Sequence, residues 1–141
     1  MFRAMFSGGQ RHPARHAASE AHAARTLRYG VAVEPEEVIE AAGRTLAEVA
    51  ADPVKIVLFG SRARGDAGPD SDYDFLVVER VVPNPTSRHE EMVRLSRALG
   101  PLRVPTDVMV VSERYVEEWG GVRNTVVHAA LTEGRVLHAA A

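Results

Sequence analysis

The chain of 141 residues contains no cysteine, which excludes disulfide bonds and thiolate metal sites. It also lacks a long apolar run: its apolar segments have the length of buried strands rather than of membrane spans. The formal net charge is only −2, so bulk charge does not indicate a nucleic-acid partner. These features predict one domain with its own hydrophobic core and no membrane partner. We expect a cytoplasmic location, although the absence of cysteine alone does not fix the compartment.

The first part of the chain is poor in acidic residues and shows no sustained apolar periodicity. Residues 1–30 contain several arginines but a single acid, Glu20. Such a composition is typical of a transit peptide, but it also fits a disordered tail, which we favour. His12 and His16 are spaced for one helix face, but an unpaired tail is a poor place for a metal site. We predict a disordered tail over 1–30 and one domain over 31–139.

The remaining sequence alternates between helical and strand patterns. Apolar spacing, turn residues and capping residues predict the elements. The predicted helices are 35–49, a short turn within 60–65, 87–99 with Ser87 and Glu90 as capping box, 112–119 and 122–133, and the predicted strands are 54–59, 73–79, 104–111 and 135–138.

The connections between the predicted strands determine their directions. Only thirteen residues, 60 to 72, separate the first two strands, which is too short for a parallel crossover with a full helix. A well-formed helix joins the second and third strands, which favours parallel pairing. The fold class is therefore α/β (α+β), a small mixed β-sheet of three to four strands with helices packed against it. This topology brings Gly60, Ser61, Asp72, Asp74 and Asp107 to one edge.

Three aspartates at that edge are candidate metal ligands. Asp72 and Asp74 are two residues apart at a strand start, so both project from one face, with backbones roughly 6.5–7 Å apart. Asp107 lies on an otherwise apolar strand. Taken alone, the Asp-x-Asp pair also fits a solvated turn. Three carboxylates on one face repel unless cations lie among them, and Mg²⁺ prefers such oxygen ligands.

The loop after the first strand is a candidate phosphate site. Gly60 and Gly65 flank a short turn in which Ser61 and Arg64 can donate to a phosphate. The loop is similar to the opening of a Walker A sequence, but Asp66 and Ala67 replace the required lysine and hydroxyl residue. A P-loop NTPase is therefore rejected, as is a dinucleotide fold, because Gly-x-Gly-x-x-Gly is absent.

The segment GSRARGDAGPDSDYD at residues 60–74 resembles the signature of the DNA polymerase β-like nucleotidyltransferase superfamily, within which it is most similar to the minimal nucleotidyltransferases (MNT). The resemblance covers residues 35–139, including TDVMVV at 106–111 and EGRVLH at 133–138. It implies the nucleotidyltransferase fold, with a triphosphate bound at Gly60 and Ser61. It further implies that Asp72, Asp74 and Asp107 bind metal, that Asp107 serves as base, and that Arg64 contacts phosphate more clearly than Arg62 does.

The same resemblance implies a function and cofactors. Minimal nucleotidyltransferases transfer a nucleoside monophosphate, here AMP from ATP, with the help of two Mg²⁺ ions. Many pair with an all-helical HEPN toxin and act as its antitoxin, some by AMPylating a tyrosine. The expected acceptor is therefore a hydroxyl on a partner protein.

Two other functions remain open at this stage. One is transfer to a small-molecule hydroxyl, as in aminoglycoside nucleotidyltransferases, although those usually carry an extra helical acceptor domain. The other is a non-catalytic antitoxin, which clustered like charge argues against. A nucleic-acid acceptor is disfavoured because no separate basic domain is present, and a homo-oligomer remains open.

Overall fold

The structure is a computed structural model, and it describes residues 26–28 and 31–140. The predicted tail, with His12 and His16, lies outside these residues except for Thr26–Arg28. The elements in chain order are β1 (Thr26–Arg28), β2 (Val31–Val33), α1 (Pro35–Val49), β3 (Pro53–Phe59), α2 (Ser61–Arg64), β4 (Tyr73–Glu79), α3 (Pro85–Ala98), a 3₁₀ turn (Gly100–Leu102), β5 (Thr106–Ser112), α4 (Glu113–Trp119), α5 (Val126–Glu133) and β6 (Arg135–Ala139).

A small antiparallel pair precedes the first helix. Strands β1 and β2 are joined in register from Thr26 opposite Val33 to Arg28 opposite Val31. The boundary predicted at residue 31 falls inside this pair. The division into tail and domain stays a prediction.

The main sheet has four strands in the order β5-β4-β3-β6. Strand β3 pairs antiparallel with both β4 and β6, whereas β4 and β5 are parallel. The predicted mixed sheet is confirmed, together with the antiparallel pairing of β3 with β4 and the parallel pairing of β4 with β5. The short β3–β4 connection thus joins antiparallel strands and the helical β4–β5 connection joins parallel strands, as their lengths predict.

Helices cover both faces of this sheet. On β4, Tyr73, Phe75 and Val77 point into the cluster formed with α1 and α3. Leu76 and Val78 point the other way, into the cluster that contains residues of α5. We call this second side the α5 face. Since side chains alternate along a strand, Asp74 is in phase with Leu76 and belongs to the α5 face.

Helix α3 begins earlier than expected, and the predicted capping box is wrong. The N-cap residue is Asn84, whose side chain accepts a hydrogen bond from the Ser87 amide at 2.9 Å. Pro85 occupies the first helical position, where its missing N–H leaves no intrahelical bond unmade. Ser87 is therefore inside the first turn, as the donor to the cap rather than the cap itself.

Two further elements begin later than predicted by more than one residue. Helix α5 begins at Val126 rather than at residue 122, because Asn124 has a left-handed φ of 63° that a right-handed helix excludes. Thr125 caps the helix by accepting from the His128 amide at 3.1 Å. Strand β5 begins at Thr106, after Pro105, which has no N–H for the ladder. Over the described part of the chain, no helix is long and apolar enough to cross a membrane.

Candidate active site

The turn after β3 is determined by close contact between Gly60 and Asp74. Gly60 has φ 73° and ψ −158°, a conformation essentially restricted to glycine. A Cβ atom at this position would lie 2.3 Å from Oδ2 of Asp74. The carboxylate therefore packs directly against the glycine backbone, which no residue with a side chain would allow.

The predicted phosphate loop forms a single compact turn. Ser61 is the first residue of α2 and is half-buried, and Arg64 is its last residue. Gly65 ends the helix in the left-handed conformation at φ 87°, and its N–H donates to the Ser61 carbonyl at 3.0 Å. The four residues predicted to bind nucleotide thus lie at the start and end of one short helix beside Asp74.

Strand pairing brings the three predicted aspartates to one edge of the sheet. Asp74 is opposite Phe59 on β3 and opposite Asp107 on β5. Asp72 immediately precedes β4 and is exposed, as is Asp107, whereas Asp74 is half-buried. The predicted convergence of these positions is therefore found in the backbone, with Asp74 at its centre.

The electrostatics of Asp74 reflect this position. Burial raises the pKa of the Asp74 carboxyl, and the charges of Asp107 and then of Asp72 raise it further. The positive charge of Arg64 acts in the opposite direction. Like charges surround a half-buried carboxylate here, an arrangement that a bound cation would stabilise. Among the described residues, however, no three acidic, histidine or cysteine side chains form a group already gathered to hold a metal ion.

Arg64 lies at the exposed side of this edge. Its side chain is 47% exposed and forms ion pairs with Asp66 at 3.3 Å and with Glu133 at 3.9 Å. Glu133 is the last residue of α5, and the following Gly134 packs so closely that a Cβ would lie 2.3 Å from Cγ1 of Val57. The end of α5, and with it the start of the EGRVLH segment, therefore lies next to the turn at residues 60–65.

Arg62 has a different environment from Arg64. It is only 9% exposed, and its guanidinium donates to the carbonyl oxygens of Ser71 and Pro69. The guanidinium carbon lies 4.3 Å from the centroid of the Tyr73 ring. The resemblance implies that Arg62 contacts phosphate less clearly than Arg64 does, and this role of Arg62 stays a prediction. The guanidinium of Arg62 is directed inward, to backbone carbonyl oxygens. Sequence reasoning missed the contacts because two arginines two residues apart in a four-residue helix give no signal of which one is buried.

Comparison with known proteins agrees with this architecture. Residues 43–132 match the family described as Nucleotidyltransferase domain. A solved structure of a candidate nucleotidyltransferase from Sulfolobus solfataricus is 24% identical, with 72% of this chain and 80% of that chain covered and a TM-score of 0.50. No curated protein matches the chain.

Two further solved structures are similar to this chain. A candidate minimal nucleotidyltransferase is 28% identical, with 73% of this chain and 95% of that chain covered and a TM-score of 0.47. The tri-AMPylated Shewanella oneidensis HEPN toxin in complex with MNT antitoxin gives 20% identity, 75% and 73% coverage and a TM-score of 0.45. The family match extends over more than half of the chain and includes the turn at Gly60 and all three aspartates. The chain therefore belongs to the nucleotidyltransferase domain family, the transferases of nucleotidyl groups.

Proposed function

We propose that this nucleotidyltransferase transfers AMP from ATP to a hydroxyl group on a partner protein, acting in the cytoplasm as an antitoxin of the MNT type. The observation that carries the catalytic part is the position of Asp74. It is opposite Asp107 in the parallel ladder and in contact with Gly60 at the loop, so one carboxylate joins the two halves of the site. The choice of ATP and of a protein acceptor rests on the resemblance of the motif to minimal nucleotidyltransferases.

The donor set fits divalent metal. Asp72, Asp74 and Asp107 offer only hard oxygen ligands, and their mutual repulsion at Asp74 is relieved by a cation. Asp72 and Asp107 are exposed, so their side chains can change rotamer towards Asp74 without a change in the backbone. Two Mg²⁺ ions held here would stabilise the negative charge that develops on the phosphate oxygens during transfer.

The chain's own residues then have distinct roles. Ser61 and the turn from Gly60 to Gly65 hold the triphosphate, and Arg64 exchanges its exposed carboxylate partners for phosphate oxygens. The acceptor oxygen forms a bond to the α-phosphorus, the bond from that phosphorus to the bridging oxygen breaks, and pyrophosphate leaves. Asp107, exposed at the open edge strand, accepts the proton of the hydroxyl.

A label-transfer experiment tests this proposal. The protein is incubated with Mg²⁺, a candidate helical partner protein and each of the four nucleoside triphosphates labelled at the α-phosphate. We expect label on the partner with ATP, with release of pyrophosphate, and none when Mg²⁺ is removed by EDTA. Absence of transfer with all four nucleotides would contradict the enzymatic proposal.

Matched variants separate catalysis from binding. Replacement of both Asp72 and Asp74 by Asn should reduce transfer by about 100-fold or more, because the loss of charge stabilisation amounts to several kcal/mol. Asp70→Asn changes an exposed aspartate of the same loop and should leave transfer unchanged. If the double variant still neutralised its partner in cells as well as the wild type, binding rather than transfer would account for the antitoxin activity.

A further inference from the structure

The guanidinium of Arg62 occupies a position from which it touches both neighbours of Asp72. Its Nε and Nη2 atoms donate to the Ser71 carbonyl oxygen at 3.3 and 3.1 Å. That oxygen belongs to the peptide group leading directly into Asp72. On the other side of Asp72 in sequence, the Tyr73 ring stacks against the guanidinium at 4.3 Å. The backbone of Asp72 is therefore fixed on both sides by one side chain.

Two more contacts make this a connection between segments. The Nη2 atom also donates to the Pro69 carbonyl at 3.3 Å, and Gly68 and Ser71 close a turn through a 2.9 Å bond from the Gly68 amide to the Ser71 hydroxyl. Arg62 itself belongs to α2, the helix whose N-cap residue is Gly60. The loop 66–72 is thus tied to the turn that contacts Asp74, even though its own residues are mostly exposed.

Burial distinguishes Arg62 from a phosphate-binding arginine. Arg62 as a residue is only 9% exposed, so its guanidinium must keep its hydrogen bonds inside the protein, because the loss of hydration is otherwise uncompensated. To reach a nucleotide, Arg62 would have to abandon the carbonyl oxygens of Pro69 and Ser71 and the ring of Tyr73. Arg64, 47% exposed, can turn to a ligand without such a loss.

We propose that Arg62 is a positioning residue, which holds the Asp72 backbone in register with the Gly60–Asp74 contact and does not bind phosphate itself. The planar guanidinium suits this role because it can donate to two carbonyl oxygens and stack on a ring at the same time. A lysine could retain the charge but not this combination of contacts. This role of Arg62 goes beyond the proposed function. Only its kinetic test rests on the proposed nucleotidyl transfer.

Amide hydrogen exchange in the nucleotide-free protein tests the anchoring directly. In Arg62→Met, exchange of the amides in residues 66–72 should accelerate by about tenfold or more, while strands β3 and β4 keep their protection. Arg62→Lys should lie between Arg62→Met and the wild type. Arg64→Met is the matched control, with an arginine removed from the same helix and no acceleration expected in the loop. Unchanged loop exchange in Arg62→Met would overturn the proposal.

Steady-state kinetics then separates positioning from phosphate binding. Arg62→Met should reduce kcat by about 10- to 100-fold, as expected when an outer partner of a ligand residue is lost, with the KM for ATP within about twofold of the wild type. Arg64→Met should instead raise the KM for ATP. A rise in KM for Arg62→Met equal to that for Arg64→Met would overturn the proposal.

If Arg62→Met does not fold, the exchange and kinetic patterns of Arg62→Lys decide in the same way. If the wild type transfers no nucleotide, the proposed function fails, and the exchange data still decide the role of Arg62.

Discussion

At the residue scale, the close contact between Gly60 and Asp74 restricts both the residue type at position 60 and the position of the Asp74 carboxylate. The carboxylate lies against the glycine backbone, and burial together with the charges of Asp107 and Asp72 raises the pKa of Asp74. In the ligand-free protein this carboxylate is therefore held where its charge is unfavourable. Unfavourable placement of a charged group is expected where the group acts on a ligand, because the ligand supplies the compensating charge.

The contact predicts different outcomes for substitutions at two glycines. Gly60→Ala should destabilise the protein by about 1–3 kcal/mol through its strained backbone, and should also push the Asp74 carboxylate away from the loop. Since a displacement of about 1 Å can reduce catalysis about 100-fold, we expect transfer to fall by that order. Chemical denaturation measures the first effect and label transfer the second.

Gly65→Ala provides the control for backbone strain. Gly65 also has a positive φ, of 87°, but a Cβ there would meet no atom within 4 Å. The variant should lose about 1 kcal/mol of stability from the left-handed conformation, and should lose much less activity than Gly60→Ala. Equal losses of transfer in the two variants would show that strain in the turn, rather than displacement of Asp74, is responsible.

At the scale of elements, the start of α3 shows how local competition decides a helix boundary. Ser87 and Glu90 form a capping-box pattern in the sequence, but Asn84 followed by Pro85 forms another start signal three residues earlier. The earlier start adds helical residues before Ser87, and its cap is completed by the Ser87 amide. The helix begins at the first satisfied cap because the additional turn then forms its own backbone bonds.

This assignment predicts unequal effects of two alanine substitutions. Asn84→Ala should reduce the free energy of unfolding by about 1 kcal/mol, because it removes the side-chain acceptor for the Ser87 amide. Ser87→Ala keeps that amide and should change stability by no more than about 0.5 kcal/mol. Urea unfolding monitored by circular dichroism measures both. A larger loss for Ser87→Ala than for Asn84→Ala would restore the capping box that the sequence suggests.

The elements also show which features can be predicted from sequence and which cannot. The directions of β3, β4 and β5 follow from connection lengths, so the convergence of Asp74 and Asp107 could be predicted before any coordinates. The burial of Arg62 could not, because it depends on where the Tyr73 ring lies in three dimensions. Periodicity reports which face a strand residue occupies, whereas the contacts of a loop depend on how several segments pack.

At the scale of the whole molecule, two glutamates connect β4, α3 and the end of α1. They lie at the opposite end of β4 from the candidate active site. Glu79, at the end of β4, is 3% exposed, and Glu91 lies on α3. Both carboxyl groups accept from the Ala51 amide, after the end of α1, at 3.0 and 2.9 Å. Because the two carboxyl groups share this donor, they lie close together, and a proton held between them would relieve their repulsion. Arg94 pairs with Glu91, which favours Glu79 as the protonated partner.

The pair has a defined influence on stability as the pH changes. Burial, followed by the hydrogen bond and charge of Glu91, raises the pKa of Glu79 from 4.5 to about 7. The folded protein thus binds this proton more tightly than the unfolded chain does. The resulting stabilisation is complete below pH 4.5 and is lost as the pH rises through about 7. Burial also acts to raise the pKa of Glu91, but hydrogen bonds to Glu79, Ala51 and Arg94 lower it overall. The stabilisation that Glu91 contributes is therefore lost only at a pH below 4.5, as the pH falls through its lowered pKa.

Glu79→Gln should remove this dependence, because an amide keeps the acceptor for Ala51 and permanently supplies the donor to Glu91. The variant should match the wild type near pH 5 and exceed it near pH 8 by on the order of 2 kcal/mol. The quantity to compare is the difference between variant and wild type in denaturant unfolding at each pH, because this difference cancels the pH effects that both proteins share. Glu118→Gln, at an exposed ion pair with Arg114, is the control and should differ from the wild type by less than about 0.5 kcal/mol throughout. A pH-independent difference for Glu79→Gln would mean that Glu79 is ionised in the folded protein, and that the three elements are joined without a shared proton.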